Sequence, residues 1–387
     1  MYRALPYCVV DGYAPICCDT NDPYTIQTGF EKRLLRDIPQ ADPVILLKFK
    51  LFVENWLFNN LTPFSPVDFS IIFEEWFSQL KFNQARLKQY RDAYDKLYSS
   101  SPNRRMCEFI KSFPKTEYYD EFKFPRIINS RCDMFKVFCG PYFHKIEAAL
   151  FSLRWFVKGL SITDKVSRVS MLLRSNYRYF VSDFKAFESH FTPNFMEICE
   201  CRLYTYMFPG DSNIIKICEV IMGKNRLHMT NKCSLTVVGR RMSGEMCTSL
   251  GNSFTNLMLF LFIMDSKGIC DSELVGLVEG DDGLFGVPST IPLPTPLDYL
   301  NLGFTILINE IIDPRQASFC RLIFGESEQC IRDPRRFFSS FSWTFNICGK
   351  YKLMCQYLRA KALSVLYETP QCPIVAILAH RALLCTE

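Results

Sequence analysis

Residues Leu277–Val287 read LVEGDDGLFGV, with three acids and three glycines set among apolar residues. Leu274–Val278 and Leu284–Val287 have the content of two short strands, so the stretch between them predicts a hairpin around Gly280-Asp281-Asp282-Gly283. Asp-Gly is enough to explain a tight turn, because Gly accepts positive φ and Asp tolerates the left-handed region. A turn does not require two adjacent aspartates, however, and the triplet alone is a weak signal. The rest of the chain decides what the pair is for.

Upstream, Tyr179–Phe184 (YFVSDF) predicts a short strand ending at Asp183, followed by Lys185-Ala186-Phe187-Glu188. Between that strand and the hairpin lies Ser243-Gly244-Glu245-Met246-Cys247-Thr248-Ser249-Leu250-Gly251-Asn252, and Ser253–Met264 has the length and leucine content of a helix. Thr248 and Asn252 are four apart and share one face if their segment is helical. Farther out, residues 44–110, Phe143–Val157, the segment after Pro193 and Cys355–Thr386 read as helical, Arg226–Val238 as a polar hairpin, and Pro288–Pro296 as a loop. Strands and helices interleave without a βαβ rhythm, which predicts an α+β fold.

The bulk properties narrow the class. A chain of 387 residues, 48% hydrophobic and 22% charged, is large enough for two or three subdomains, and 35 phenylalanines predict an aromatic core. A net charge of +5 excludes a polybasic tail but suits phosphate contact in one groove, and basic residues are dense from Lys81 to Arg131. The 18 cysteines include no Cys-x-x-Cys pair and no secretory signal opens the chain, so they read as buried small apolar residues in a reducing compartment. No eighteen-residue apolar run occurs, so no transmembrane segment of its own is expected. Walker A, G-x-G-x-x-G, His-Glu-x-x-His and zinc-type spacings are also missing.

Two aspartates on neighbouring strands suit one kind of chemistry. Nucleotidyl transfer uses two hard cations about 3.5–4 Å apart, which hold the attacking 3′ oxygen, the α-phosphate and the leaving pyrophosphate. Mg²⁺ takes only one or two carboxylates in such sites, with phosphate and water completing the shell. Ser243, Thr248 and Asn252 supply neutral donors and acceptors suited to a ribose hydroxyl.

In this order the three clusters resemble motifs A, B and C of the viral RNA-dependent RNA polymerases of positive-strand RNA viruses: Asp-x₄-acid, Ser-Gly-x₃-Thr-x₃-Asn and Gly-Asp-Asp. The likeness is greatest to the tombusvirus-like group. It includes Gly239-Arg240-Arg241-Met242-Ser243-Gly244 leading into motif B, and Phe124–Arg131, Gly140-Pro141-Tyr142 and Ile146-Glu147 in the basic finger motif F. Lys158-Gly159, Leu302–Thr305 (motif D), Ser318–Arg321 (motif E) and Ile331–Pro334 at the thumb entry extend it. The chain departs from the family at Glu188 and Glu245, where Asp is usual, and at Cys247, where the tombusvirus-like relatives usually have Asn. Thr305–Asp313 also lacks the motif D lysine.

The resemblance implies a right-hand polymerase with an antiparallel palm sheet. Fingers would occupy 1–178 with an insertion at 208–241, the palm 179–207 and 242–335, and a small thumb 336–387. Asp183, Asp281 and Asp282 would be catalytic, the first two as direct ligands of two Mg²⁺ or Mn²⁺ ions and Asp282 as support. Ser243, Thr248, Asn252 and Glu188 would select ribonucleotides, with Asn252 as partner of Glu188. Lys115, Arg126, Arg131 and Lys158 would hold the NTP triphosphate, the arginines over its channel. His190 reads as structural, and Glu279 as a salt-bridged strand residue. Implied partners are a single-stranded RNA template, the nascent RNA, NTPs and other viral replication proteins. The implied location is the host cytoplasm, at membrane-associated replication complexes reached through a partner or peripheral contact. Two other readings compete. A reverse transcriptase usually has an apolar or aromatic residue where Gly280 stands and lacks the Ser/Thr/Asn cluster, and a non-catalytic RNA-binding subunit has no need of intact acids.

Overall fold

A computed structural model of the chain describes residues 3–99, 104–119, 121–229, 233–325, 330–345 and 350–386. Its centre is a four-stranded antiparallel sheet in the order Val275–Glu279, Asp282–Pro288, Tyr177–Phe184, Ile306–Ile311. The hairpin and the strand ending near Asp183 are thus hydrogen-bonded neighbours, with Ser182 opposite Gly283 and Phe180 opposite Phe285.

Strand alternation puts Phe180 and Phe285 on one face of this sheet. There they meet Phe260, whose ring lies 4.0 Å from that of Phe285 and 5.9 Å from that of Phe180. Phe260 belongs to the helix Thr248–Asp265, which is buried on every side from Leu250 to Met264. A helix so surrounded needs no polar face, which is why its sequence shows leucines and little amphipathic pattern.

A second four-stranded sheet has the order Ile127–Arg131, Phe109–Pro114, Lys224–Met229, Cys233–Val238. Residues 224–238 therefore pair with strands from much earlier in the chain; Phe109–Pro114 runs parallel to Lys224–Met229 and antiparallel to Ile127–Arg131. Helices Pro23–Phe30, Pro43–Asn60 and Pro334–Phe341 each start with an Asp N-cap followed by proline, which satisfies early backbone N–H groups while proline presets φ.

Two expected helices have other bounds than the sequence pattern implied. The one expected over Phe143–Val157 lies at Asp133–Leu150, and the chain then passes through turns to a single bridge between Phe156 and Val278 of the hairpin. Val278 N–H donates to the Trp155 carbonyl (2.8 Å) and Val157 N–H to the Val278 carbonyl (3.3 Å), so sheet-type bonds outcompete another helical turn. The stretch Cys355–Thr386 is split into Tyr351–Glu368 and Pro373–Leu384. Pro370 and Pro373 cannot donate and restrict the residues before them, which breaks the helix. These two helices bury a core that includes Leu5 and Cys8, and Arg3–Ala4 pairs with Trp343–Thr344, so the first residues pack on the C-terminal unit.

The seventeen described cysteines are all free and nine are buried, as small core residues would be. Among the described residues no helix is long and apolar enough to cross a membrane.

The three-phenylalanine stack anchors the hairpin to the central helix. Phe285→Ala is expected to cost about 3–5 kcal/mol of unfolding free energy, read from urea denaturation. A loss below about 1 kcal/mol would show that the stack does not hold the hairpin.

Candidate active site

The hairpin closes more tightly than an Asp-Gly turn would predict. Glu279 pairs with Asp282, leaving only Gly280 and Asp281 at the tip, and Gly280 has φ +65°. Glycine at the first central position is what a two-residue type II′ hairpin demands. Asp282 opens the second strand, and Gly283 lies inside the sheet, where a Cβ would come 2.5 Å from Ser182 Oγ and from the Phe285 ring.

The central helix grips this tip. Gly280 N–H donates to Ser253 Oγ (2.8 Å), and Asn256 Nδ2 donates to the carbonyls of Gly280 (3.3 Å) and Asp281 (3.1 Å). Ser253 and Asn256 are fully buried, and sequence reasoning did not single them out. Their signal was available: polar side chains three apart in a buried helix must find partners.

Continuing the Ser182–Gly283 register by one residue sets Asp183 opposite Asp282 and beside the tip at Asp281. The acids repel one another. Desolvation first, then the charge of Asp281, raises Asp183 above the ordinary carboxylate value, with Lys123 and Lys185 opposing. Desolvation, followed by the charges of Asp281, Asp183 and Glu279, pushes Asp282 up to about 6, against Arg321. No described side chain bonds to any of the three carboxylates.

Hard oxygen donors with uncompensated charge are the donor set of Mg²⁺ or Mn²⁺. Among the described residues no group of three or more His, Cys, Asp or Glu side chains stands close enough to hold a metal unaided.

Lys115 and Arg126 share one carboxylate. Lys115 Nζ lies 2.8 Å from Glu117 Oε1 and Arg126 Nε donates to Glu117 Oε2 at 2.7 Å. Burial would raise Glu117, but its bonds from Arg126 and Lys115 outweigh this and hold it at about 2. Arg126 is raised, mainly by its bond to Glu117, and Asp281 adds to the effect. Glu117 was not predicted from sequence.

Arg131 is a correction. Its buried guanidinium bonds to Glu245, to Asn225 Oδ1 and to the Cys107 carbonyl (2.7 Å), so it is not free to fork a triphosphate. Residues 126 and 131 are five apart, and on a strand an odd spacing puts them on opposite faces. Lys158 is also displaced from the expected cluster. It follows the residues that bond to Val278 on the outer hairpin strand, and its ammonium lies 4.0 Å from Glu279. Lys165 holds the same carboxylate at 2.6 Å, so Glu279 is the salt-bridged strand residue expected.

Ser243, Thr248 and Asn252 lie around the helix start. Thr248 and Asn252 lie on one face of the helix that begins at Thr248. Thr248 Oγ1 donates to the Met242 carbonyl (3.2 Å), and the Ser243 carbonyl accepts from Asn129 N–H (3.0 Å). The expected Glu188–Asn252 pairing is not made. Glu188 accepts from Arg33 (3.3 Å), and Asn252 Oδ1 accepts from Arg241 Nε (3.1 Å).

His190 is structural, as expected. Its Nε2 accepts from Thr305 N–H (3.2 Å), leaving Nδ1 to donate to the Ala186 carbonyl (3.2 Å). Burial, with Arg36 and Arg240 adding, lowers it to about 4, so it is neutral at physiological pH. Arg315, the cation nearest motif D, is paired with Asp313 at 2.6 Å.

The raised Asp282 has a stability consequence in metal-free protein. Below about pH 4 it is protonated in both folded and unfolded chains and contributes nothing. As pH rises towards 6 the unfolded chain ionises first, so stability falls, and above 6 the penalty is complete. Asp282→Asn should therefore raise Tm at about pH 7.5 but not at about pH 3.5; equal Tm changes at both values would contradict the repulsion.

Comparison with known families bears on the whole arrangement. A family model described as "Viral RNA dependent RNA polymerase" matches residues 77–287, more than half of the 387 residues and including the strand end, residues 243–252 and the hairpin. Comparison with curated proteins finds no match. The chain belongs to the viral RNA-dependent RNA polymerase family, nucleotidyltransferases that synthesise RNA on an RNA template.

Proposed function

We propose that this polymerase joins nucleotides at the hairpin tip, with Asp183 and Asp281 holding two divalent ions and Asp282 supporting them. The observation that supports the reading is the sheet register, which sets the end of the Asp183 strand beside the hairpin tip that carries Asp281 and Asp282. Mg²⁺ or Mn²⁺ bound there would supply positive charge to the attacking 3′ oxygen and the departing pyrophosphate. Lys115 and Arg126, steadied by Glu117, would bind the triphosphate, and the field between Arg126 and Asp281 supports that assignment. Ser243, Thr248, Asn252 and Glu188 would read the ribose. Lys158 would instead face RNA backbone along the outer hairpin strand, beside Lys165. Arg131 takes a structural role.

The same reading assigns the central sheet to a palm (179–207 and 242–335). The second sheet, which unites 109–131 with 224–238, supports fingers at 1–178 and 208–241, and the paired C-terminal helices a thumb at 336–387. The motif residues favour a tombusvirus-like relationship. Template and nascent RNA would share the groove over the palm, with other viral replication proteins and a membrane-associated site in the host cytoplasm as the setting.

The test is labelled-nucleotide incorporation on a homopolymeric RNA template, with and without primer, in Mg²⁺ and Mn²⁺. Template-complementary NTPs should be incorporated, and Asp281→Ala should reduce the rate at least about a hundredfold. Incorporation that survives Asp281→Ala would overturn the site; preference for dNTPs would favour reverse transcription.

A further inference from the structure

We infer that Arg241 is a positioning residue that fixes how Asn252 faces the nucleotide and thereby sets discrimination for the ribose 2′-hydroxyl. The inference rests on the ribose reading above and extends it to a residue that touches no substrate.

Arg241 is fully buried, and so is its counter-ion Glu200, at the start of the helix Glu200–Met207. Tyr204 Oη donates to the same Glu200 oxygen (3.0 Å), and the Arg241 guanidinium stands 4.4 Å over the Phe191 ring. Anchored there, Arg241 reaches both members of the ribose pair. Its main-chain N–H donates to the Glu188 carbonyl (3.1 Å), and its Nε donates to Asn252 Oδ1 (3.1 Å). Nη1 meets Cys247 Sγ at 3.4 Å.

A guanidinium has only donors, so it can accept just one orientation of the carboxamide. Asn252 must turn its oxygen to Arg241, which commits its NH₂ group to the other side. A flipped amide would set N–H against N–H in a buried place and leave an oxygen unpaired. Asn252 is therefore a fixed donor, while the carboxylate of Glu188 is a fixed acceptor. A 2′-hydroxyl is both donor and acceptor and satisfies the two together; a deoxyribose satisfies neither.

The surrounding sequence is built for this contact. A Cβ at Gly251 would run into the Glu200 carboxylate and the Arg241 guanidinium, so glycine there lets the helix bring Asn252 up to the ion pair. A buried ion pair is seldom the most stable filling for such a space. Orienting Asn252 gives this one a reason to be there.

The experiment compares kcat/KM for an NTP and the matching dNTP, with thermal unfolding of every protein. Asn252→Ala reads the ribose contact itself. Arg241→Lys keeps a charge opposite Glu200 but lacks the fork that spans both partners, and Glu200→Gln with Arg241→Met removes both charges together should the lysine variant not fold. All three should lower the NTP-to-dNTP ratio about tenfold or more, the weight of one lost hydrogen bond in a buried site. The loss should come from the NTP, and Arg241→Lys should add little to Asn252→Ala. A ratio that falls in Asn252→Ala but stays at the wild-type value in the Arg241 variants overturns the positioning role and leaves the ribose reading standing. Arg241 variants in which NTP and dNTP fall equally overturn it as well, as a purely structural effect. An unchanged ratio in Asn252→Ala overturns both.

Discussion

The antiparallel pairing of Tyr177–Phe184 with Asp282–Pro288 is the constraint on which the site depends. A strand has a side-chain period of two, so a slip of one residue would turn Asp183 towards Phe260 and Phe180 away from it. Aromatic packing prevents the slip: Phe180 and Phe285 are opposite one another and both meet Phe260. Gly283 allows Ser182 and the Phe285 ring to approach where any side chain would collide. The same helix that packs the back of the sheet holds the turn from below, through Ser253 and Asn256. Apolar packing thus sets the register, and two buried polar side chains set the tip.

Around this frame, arginine–glutamate pairs join segments that are distant in sequence. Arg131 meets Glu245, Arg241 meets Glu200, and Arg33 meets Glu188. The first pair, with the bond from Asn129 N–H to the Ser243 carbonyl, ties the second sheet to the loop before the central helix. Two of the three glutamates stand where the family usually has aspartate, and each has an arginine partner across a gap. The longer side chain therefore has an assigned partner in both places. The two buried pairs, Arg131–Glu245 and Arg241–Glu200, contribute little net stability, because desolvation offsets the attraction.

Local chemistry was legible in the chain. The hairpin, the strand ending at Asp183 and the helix after Gly251 follow from alternation, glycine placement and leucine content, which act over a few residues. The parity of 126 and 131 was legible too, and would have placed Arg131 on the inner face. What the chain did not disclose depends on contacts across long separations. Glu117 under Arg126, Arg33 against Glu188 and Lys158 beside Glu279 arise only when the sheets assemble. The end of the helix at Leu150 is of the same kind: nothing local stops it, and the hairpin edge captures Trp155–Val157 instead.

A single measurement tests directly whether Asp183 and Asp281 form a divalent-ion site. Crystals of the protein with template, primer and nucleotide, soaked in Mn²⁺, would show the ion by its anomalous scattering. The account predicts a peak between the carboxylates of Asp183 and Asp281, with Asp282 adjoining. Manganese elsewhere in the groove, with those carboxylates unliganded, would contradict it.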